Sequence, residues 1–343
     1  MTPEEKLKLI TRDTQEVVGE KELKEILEQR DLKVYLGTEI SGRPHVGYFV
    51  PAMKIKDFLN AGCDVTFLLA DLHAMLNDLK STFYQLEHRF QYYEIVIRAL
   101  LKSAGANIKK LKFIKGSDFQ LKPEYTLDMY KLAAMSTIHD LNKAASEVVR
   151  QSKNQKMGGL VYPIMQALDE EYLGVDAQYG GVDQRKILMF AREVLPKLDY
   201  KQRIEIMTPM VPGLQGGKMS SSEKTSKIDL LDDEETIKKK LNKAHCPEGE
   251  VEDNGVLAFA KHVLFVLKQD KGEEFVIERP EKYGGNLNYK TYEELEKDFK
   301  EKKLHPMDLK QALAKEINKM TVPIREVMKG KEDLIKKAYP EEK

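Results

Sequence analysis

Three groups of side chains in this sequence have the types and spacing to handle charged ligands. The first is Gly37-x-x-x-Ser41-Gly42-Arg43-Pro44-His45-Val46-Gly47-Tyr48, placed after an apolar run and before a helical pattern. Glycines there let backbone approach a ligand closely, and the helix N-terminus that follows attracts phosphate. His45 could donate to a phosphate oxygen, and a plain glycine-rich turn with a solvent-facing histidine fits the same residues. The second is Lys218-Met-Ser220-Ser221-Ser222 behind Gly213-Leu-Gln-Gly-Gly217. One cation and three hydroxyls in a glycine-flanked loop suit an anion clamp. A flexible linker has the same composition. The third is Tyr162, Gln166 and Asp169, spaced i, i+4, i+7, which puts all three on one face of a helix. That face either lines a polar pocket or is solvated. Pro163 suits a first helical turn.

Elements that could hold these groups alternate along the chain. A helical pattern covers Pro3 to Arg30. Strands are expected at Lys33–Gly37, Cys63–Ala70, Lys110–Lys115, Ala177–Gly180 and Arg203–Met207. Helices are expected at His45–Ala61, Thr82–Ala104 and through Pro123–Ser152. Strands separated by helices predict an α/β fold, a Rossmann-like, mostly parallel sheet with helices on both faces, and ligands beyond the carboxyl ends of its strands. The stretch 116–176 is too long for one crossover and reads as a helical insertion. After Ser226 the strand signals fade. We therefore expect a catalytic domain over 1–225 and a mainly α-helical domain over 226–343, with a frayed tail after Gly330.

The 343 residues carry 56 Lys plus Arg against 56 Asp plus Glu, so a globally basic nucleic-acid coat is excluded while a local basic face is not. Two cysteines, Cys63 and Cys246, exclude a disulfide framework and a zinc knuckle. No apolar run approaches the roughly 20 residues of a membrane span. The charged N-terminus has no signal-peptide core. A cytoplasmic protein is expected.

Histidine-x-glycine after the first long strand, paired with Lys-Met-Ser-x-Ser, resembles the two signature motifs of the class I aminoacyl-tRNA synthetases. Further blocks resemble the archaeal tyrosyl-tRNA synthetases within that class: Tyr35-Leu-Gly-Thr-Glu39, Leu69-Ala-Asp-Leu-His73, Tyr162 to Asp169, Gly180-Gly-Val-Asp183-Gln184 and His305-Pro-Met-Asp308. The resemblance implies a two-step reaction. Tyrosine is activated by ATP, which travels with Mg²⁺ and needs no dedicated metal cage, and the tyrosyl group then passes to tRNA-Tyr. It implies that Asp169 and Tyr35 bind the substrate phenol and that Tyr162, Gln166 and Gln184 hold its ammonium and carboxylate, with His73 near the ring. It assigns ATP to Gly37, Gly42, His45, Gly47, Tyr48, Asp183, Lys218 and Ser221, and catalysis to His45, Lys218, Ser220 and Ser221. It assigns the anticodon to Tyr283, His305 and Asp308, and expects a homodimer joined through the inserted region. Two positions depart from the family pattern. Tyr48 stands where a second histidine is usual, and Ser221 stands where many members have a second lysine. A tryptophanyl enzyme, a non-catalytic RNA-binding paralogue and a nucleotidyltransferase without an RNA substrate are the competing readings.

Overall fold

The structure, a computed structural model, describes residues 1–77, 81–149, 156–214 and 227–340. Six strands form the central sheet: β1 (Glu16–Val18), β2 (Lys33–Glu39), β3 (Asp64–Ala70), β4 (Leu111–Lys115), β5 (Ala177–Gly181) and β6 (Ile204–Thr208), in the order β1-β6-β5-β2-β3-β4. All neighbours are parallel except the β1–β6 pair. The strand order reverses between β2 and β5, which makes the crevice above their carboxyl ends the natural ligand position.

The strands are apolar on both faces, as a covered parallel sheet demands. Side chains alternate across it. Val34 and Leu36 enter one core with Phe58, Val65 and Phe67, whereas Tyr35 and Leu68 enter a second with Phe119, Tyr125 and Leu168. The second core lies under the insertion between β4 and β5. That insertion holds helices Ser117–Gln120, Pro123–Met135, Ile138–Ala145 and Met157–Tyr172.

Four expectations are corrected. The N-terminal helical pattern is two helices, Pro3–Ile10 and Glu20–Gln29, separated by β1, whose residues Glu16–Val18 pair antiparallel with β6. Gly19, at φ +90°, makes the turn out of that strand. The helices expected through Pro123–Ser152 end at Ala145; residues 146–149 form a turn, and 150–152 lie outside the described residues. Pro163 lies inside the Met157–Tyr172 helix rather than in its first turn, because the helix starts earlier than the polar stripe suggested. The described tail, through Pro340, is not frayed: helix Glu332–Ala338 packs on helix Phe83–Ser103, and Ala338 and Tyr339 are buried.

Residues after 226 are mainly helical, with one small hairpin, β7 (Phe275–Ile277) and β8 (Leu287–Tyr289). The long helix Pro306–Met328 packs on Phe83–Ser103 and on Glu234–Asn242. No helix among the described residues is long and apolar enough to cross a membrane.

Candidate active site at the switch point of the sheet

A cavity of about 230 Å³ opens where the strand order reverses. Its walls come from β2 (Tyr35, Gly37, Thr38, Glu39), from β3 and its exit (Leu68, Ala70, His73), from the Met157–Tyr172 helix (Tyr162, Gln166, Asp169) and from Gln178 and Gln184. The i, i+4, i+7 stripe therefore faces inward. Six of the expected residues, Tyr35, His73, Tyr162, Gln166, Asp169 and Gln184, meet in one cavity although they come from distant parts of the sequence.

Asp169 sits at its closed end, 1% exposed. Its Oδ1 accepts from Gln120 Nε2 at 2.8 Å and from the Tyr125 hydroxyl at 2.9 Å. Its Oδ2 is buried with no hydrogen-bond donor, and His73 Nε2 lies 3.8 Å away. Burial, only partly opposed by the Gln120 and Tyr125 donors, lifts this carboxyl to about 7. Both nitrogens of His73 are buried without partners, and burial lowers its pKa to about 4, so the ring is neutral. Its edge packs on the Tyr162 ring at 4.6 Å. The Tyr35 hydroxyl donates to the Gln166 carbonyl at 3.3 Å, and Gln166 Nε2 donates to Gln184 Oε1 at 2.9 Å. A buried acceptor without a donor costs on the order of 1–3 kcal/mol, so Asp169 Oδ2 is built to receive a ligand hydroxyl or N–H.

A second cavity, about 270 Å³, shares Gly37, Thr38, Tyr48 and Gln184 with the first and continues past His45, Gly47, Gly180 and Gly181. Close backbone approach is built in here. A Cβ on Gly181 would come within 2.5 Å of Asp183 Oδ1, and one on Gly180 within 3.0 Å of Gln184 Oε1. His45 caps the turn Val46–Tyr48, its Nδ1 accepting from the Gly47 N–H at 3.2 Å. That leaves Nε2 as the nitrogen able to donate. Burial, reinforced by nearby Lys227, lowers the imidazole to about 4. Tyr48 borders both cavities and is held by the Thr38 hydroxyl at 3.2 Å and the Tyr93 hydroxyl at 3.5 Å.

Two expected ATP residues stand back from this cavity. Gly42 lines neither space; its carbonyl accepts from the hydroxyls of Tyr93 and Tyr339. Asp183 lies on the turn after β5 and also lines neither. Lys218, Ser220 and Ser221 fall outside the described residues. The chain on both sides of them is anchored at the second cavity. Gly213 lies against Gly255, and the Leu214 carbonyl accepts from the His245 N–H at 2.8 Å. Past the segment, Val46 N–H donates to the Ile228 carbonyl at 2.9 Å, and Arg43 pairs with Asp229 at 3.0 Å.

His305, which lines neither cavity, caps helix Pro306–Met328 through an Nδ1 contact to the Met307 N–H at 3.1 Å, and Asp308 is half-buried in its first turn. Tyr283 is 61% exposed on a turn that Arg279 ties to the chain before His305, its Nη1 reaching the Lys303 carbonyl at 3.2 Å. Sequence reasoning missed Gln120, Tyr125 and Gln178. Gln178 had a signal: a glutamine inside an apolar buried strand. The other two sit in the insertion, where only the three-dimensional path brings them to Asp169.

The sequence profile of the tRNA synthetases class I (W and Y) matches residues 27–321. The chain is 57% identical over 340 residues to the tyrosine–tRNA ligase, cytoplasmic, of Gallus gallus, a match covering 98% of this chain and 64% of that protein. It thus spans less than two thirds of that relative's length. With the tyrosine–tRNA ligase of Haloarcula marismortui it shares 47% identity over 341 residues, 99% of either chain. Its fold is similar to that of the tyrosyl-tRNA synthetase of Archaeoglobus fulgidus in complex with L-tyrosine, with a TM-score of 0.86, 39% identity, and coverage of 95% of this chain and 99% of that one.

Proposed function

We propose, from the premise that this chain belongs to the class I tRNA synthetases of the W and Y family and within it to the tyrosyl-tRNA synthetases, that it is a tyrosine–tRNA ligase. It joins L-tyrosine to ATP, releasing pyrophosphate, and transfers the tyrosyl group from the adenylate to the 3′ end of tRNA-Tyr. The observation that carries this reading is Asp169: one carboxylate oxygen satisfied by Gln120 and Tyr125, the other left without a donor at the closed end of a ring-sized cavity. A phenol hydroxyl supplies the missing donor. Phenylalanine cannot, and a site built this way excludes it without editing, tyrosyl-tRNA synthetases being the established example.

In this reading the rest of the reaction runs along the walls the two cavities share. Tyrosine's ring lies between Tyr35, His73 and Asp169, and its ammonium and carboxylate face Tyr162, Gln166 and Gln184. The carboxylate then meets the α-phosphate near Gly37, Thr38 and Tyr48, three of the four residues common to both cavities. ATP enters as substrate with its Mg²⁺. His45 Nε2 donates to phosphate as a neutral imidazole, and Lys218 with Ser220 and Ser221 supplies charge and donors from the loop. Asp183 holds the ribose. No covalent enzyme intermediate is needed; catalysis is positioning plus charge stabilisation.

Residues 1–225 act as the catalytic domain and 226–343 as the anticodon-reading domain. Tyr283, exposed and tethered beside the His305 turn, stacks on an unpaired base while Asp308 accepts from its edge. Leu121, Leu127, Tyr130 and Ile138 are each more than half exposed on the inserted helices, and this apolar face supports a homodimer joined there. The reading places the protein in the cytoplasm. Asp308→Ala tests the division of labour. Pyrophosphate exchange should stay within about twofold of wild type, while tRNA charging falls by one to two orders of magnitude, each lost base contact costing about 1–3 kcal/mol. Loss of exchange in that variant overturns the division.

A further inference from the structure

Behind the amino-acid cavity lies a group of buried acceptors to which no described residue donates. Tyr35, Gln178 and Glu205 are register partners across β2, β5 and β6, so their side chains share one face of the sheet. Glu170, on the helix that carries Asp169, lies close enough to Glu205 and Tyr35 for their charges to interact. Glu170 and Glu205 are both 0% exposed. All four of their carboxyl oxygens, and Gln178 Oε1 beside them, are buried without a hydrogen-bond partner. Gln178 lines the cavity, so the cluster reaches the substrate.

The nearby cations do not fill the gap. Arg203 gives Nη2 to Glu171 at 2.5 Å and Nη1 to the Lys201 carbonyl, and its Nε is itself buried and unpaired. Arg192, from the helix Arg185–Val194, gives its N–H groups to the Arg203 carbonyl and to Gln202. Five buried acceptors without a donor are an unstable arrangement unless a proton is added. Adjacent positions on paired strands bring side chains within reach of each other, so a protonated Glu205 can donate to Gln178.

We propose that Glu170 and Glu205 share one proton at neutral pH, and that the resulting carboxylic acid fixes Gln178 at the cavity wall, which makes both glutamates positioning residues for amino-acid binding. This rests on the reading of the cavity as the tyrosine site. The electrostatics agree in direction. Burial raises both carboxyls, Glu170 raises Glu205 further, and Arg192 and Arg203 only partly oppose this. Asp169 and the Tyr35 hydroxyl are the other titratable groups facing the pair.

The test compares wild type, Glu205→Gln and Glu205→Leu between about pH 6.5 and 9.5, reading KM for tyrosine and KM for ATP in pyrophosphate exchange. Glutamine keeps a donor that does not titrate; leucine removes it. Titration of Asp169 and of tyrosine's own ammonium is common to all three and cancels in the ratio of variant to wild type. At pH 7 the Gln variant should match wild type, and the Leu variant should show KM for tyrosine raised about two- to tenfold, the worth of one hydrogen bond, with KM for ATP unchanged. Toward the alkaline end of that range the wild-type KM for tyrosine should climb toward the Leu value while the Gln variant stays low. Infrared spectra at pH 7 give a readout independent of activity: a protonated carboxyl band in wild type that is lost in Glu205→Gln. Absence of that difference band, or a Gln variant that behaves as Leu does, overturns the proposal. A wild type without tyrosine-dependent exchange but with the band overturns the functional reading and leaves the shared proton standing.

Discussion

Asp169 concentrates the conflict between stability and use at the level of a single residue. Its carboxyl titrates near 7 in the folded chain against an ordinary value of 3.8. The folded state therefore binds more protons than the unfolded state between about pH 4 and 7. Stability is fully present below that window and falls as pH rises through it. Asp169→Asn keeps an oxygen for Gln120 and Tyr125 and removes the buried charge. At pH 8 without ligand it should be more stable than wild type by up to about 4 kcal/mol, three units at 1.36 each, and its stability should slope less with pH. Urea unfolding at pH 5 and pH 8 measures both. The same variant should lose tyrosine activation by two orders of magnitude or more. A variant less stable than wild type at pH 8 contradicts this account of the site. Asp169 was legible in the sequence because its block resembles the tyrosyl-tRNA synthetases; the helical spacing of Tyr162, Gln166 and Asp169 alone fitted a solvated face as well. Its supporting pair, Gln120 and Tyr125, was not, since nothing local marks a side chain whose partner lies more than 40 residues away.

At the scale of elements, the cavities exist because short connections hold strand ends and helix starts in fixed relation. The turn after β2 is tied down from the far end of the chain. Arg89 donates to the Ser41 carbonyl at 2.7 Å and to the Ala338 carbonyl at 2.8 Å, and lies 4.7 Å over the Tyr339 ring. The base of the 215–226 segment is held as tightly. A Cβ on Gly255 would come within 2.1 Å of the Gly213 carbonyl oxygen, and that backbone cannot retreat easily because Leu214 is buried and hydrogen-bonded to His245. Gly255→Ala should cost about 1–3 kcal/mol in chemical denaturation and raise KM for ATP severalfold, with KM for tyrosine little changed. A variant equal to wild type in both assays contradicts the coupling. The strands were readable from their apolar, β-branched runs. β1 was not: three residues between two helices carry no periodic signal, and only pairing with β6 makes them a strand. The tail after Gly330 was misread because its charged composition hides Ala338 and Tyr339, which are buried by tertiary contacts alone.

For the whole molecule, the proposed activation site lies at the sheet and the proposed anticodon reader at the start of the Pro306–Met328 helix, which packs on Phe83–Ser103. Composition anticipated little of this, since a net charge of zero hides where basic surface lies. The proposed dimer is tested by Ile138→Glu, which puts a charge on a residue 68% exposed on the inserted apolar face. Sedimentation should report a dimer for wild type and a monomer for the variant, with an unchanged far-ultraviolet circular dichroism spectrum because no core contact is lost. A wild-type monomer removes the dimer from the account.

The central claim is the assignment of the Asp169 cavity to tyrosine, and amino-acid-dependent exchange of labelled pyrophosphate into ATP, without tRNA, tests it most directly. Tyrosine, tryptophan and phenylalanine are compared with wild type and Asp169→Ala. The account predicts exchange with tyrosine alone in wild type, and in the variant a collapse of the tyrosine rate with weaker discrimination against phenylalanine. Exchange with tryptophan in place of tyrosine, or a variant as active and selective as wild type, contradicts it.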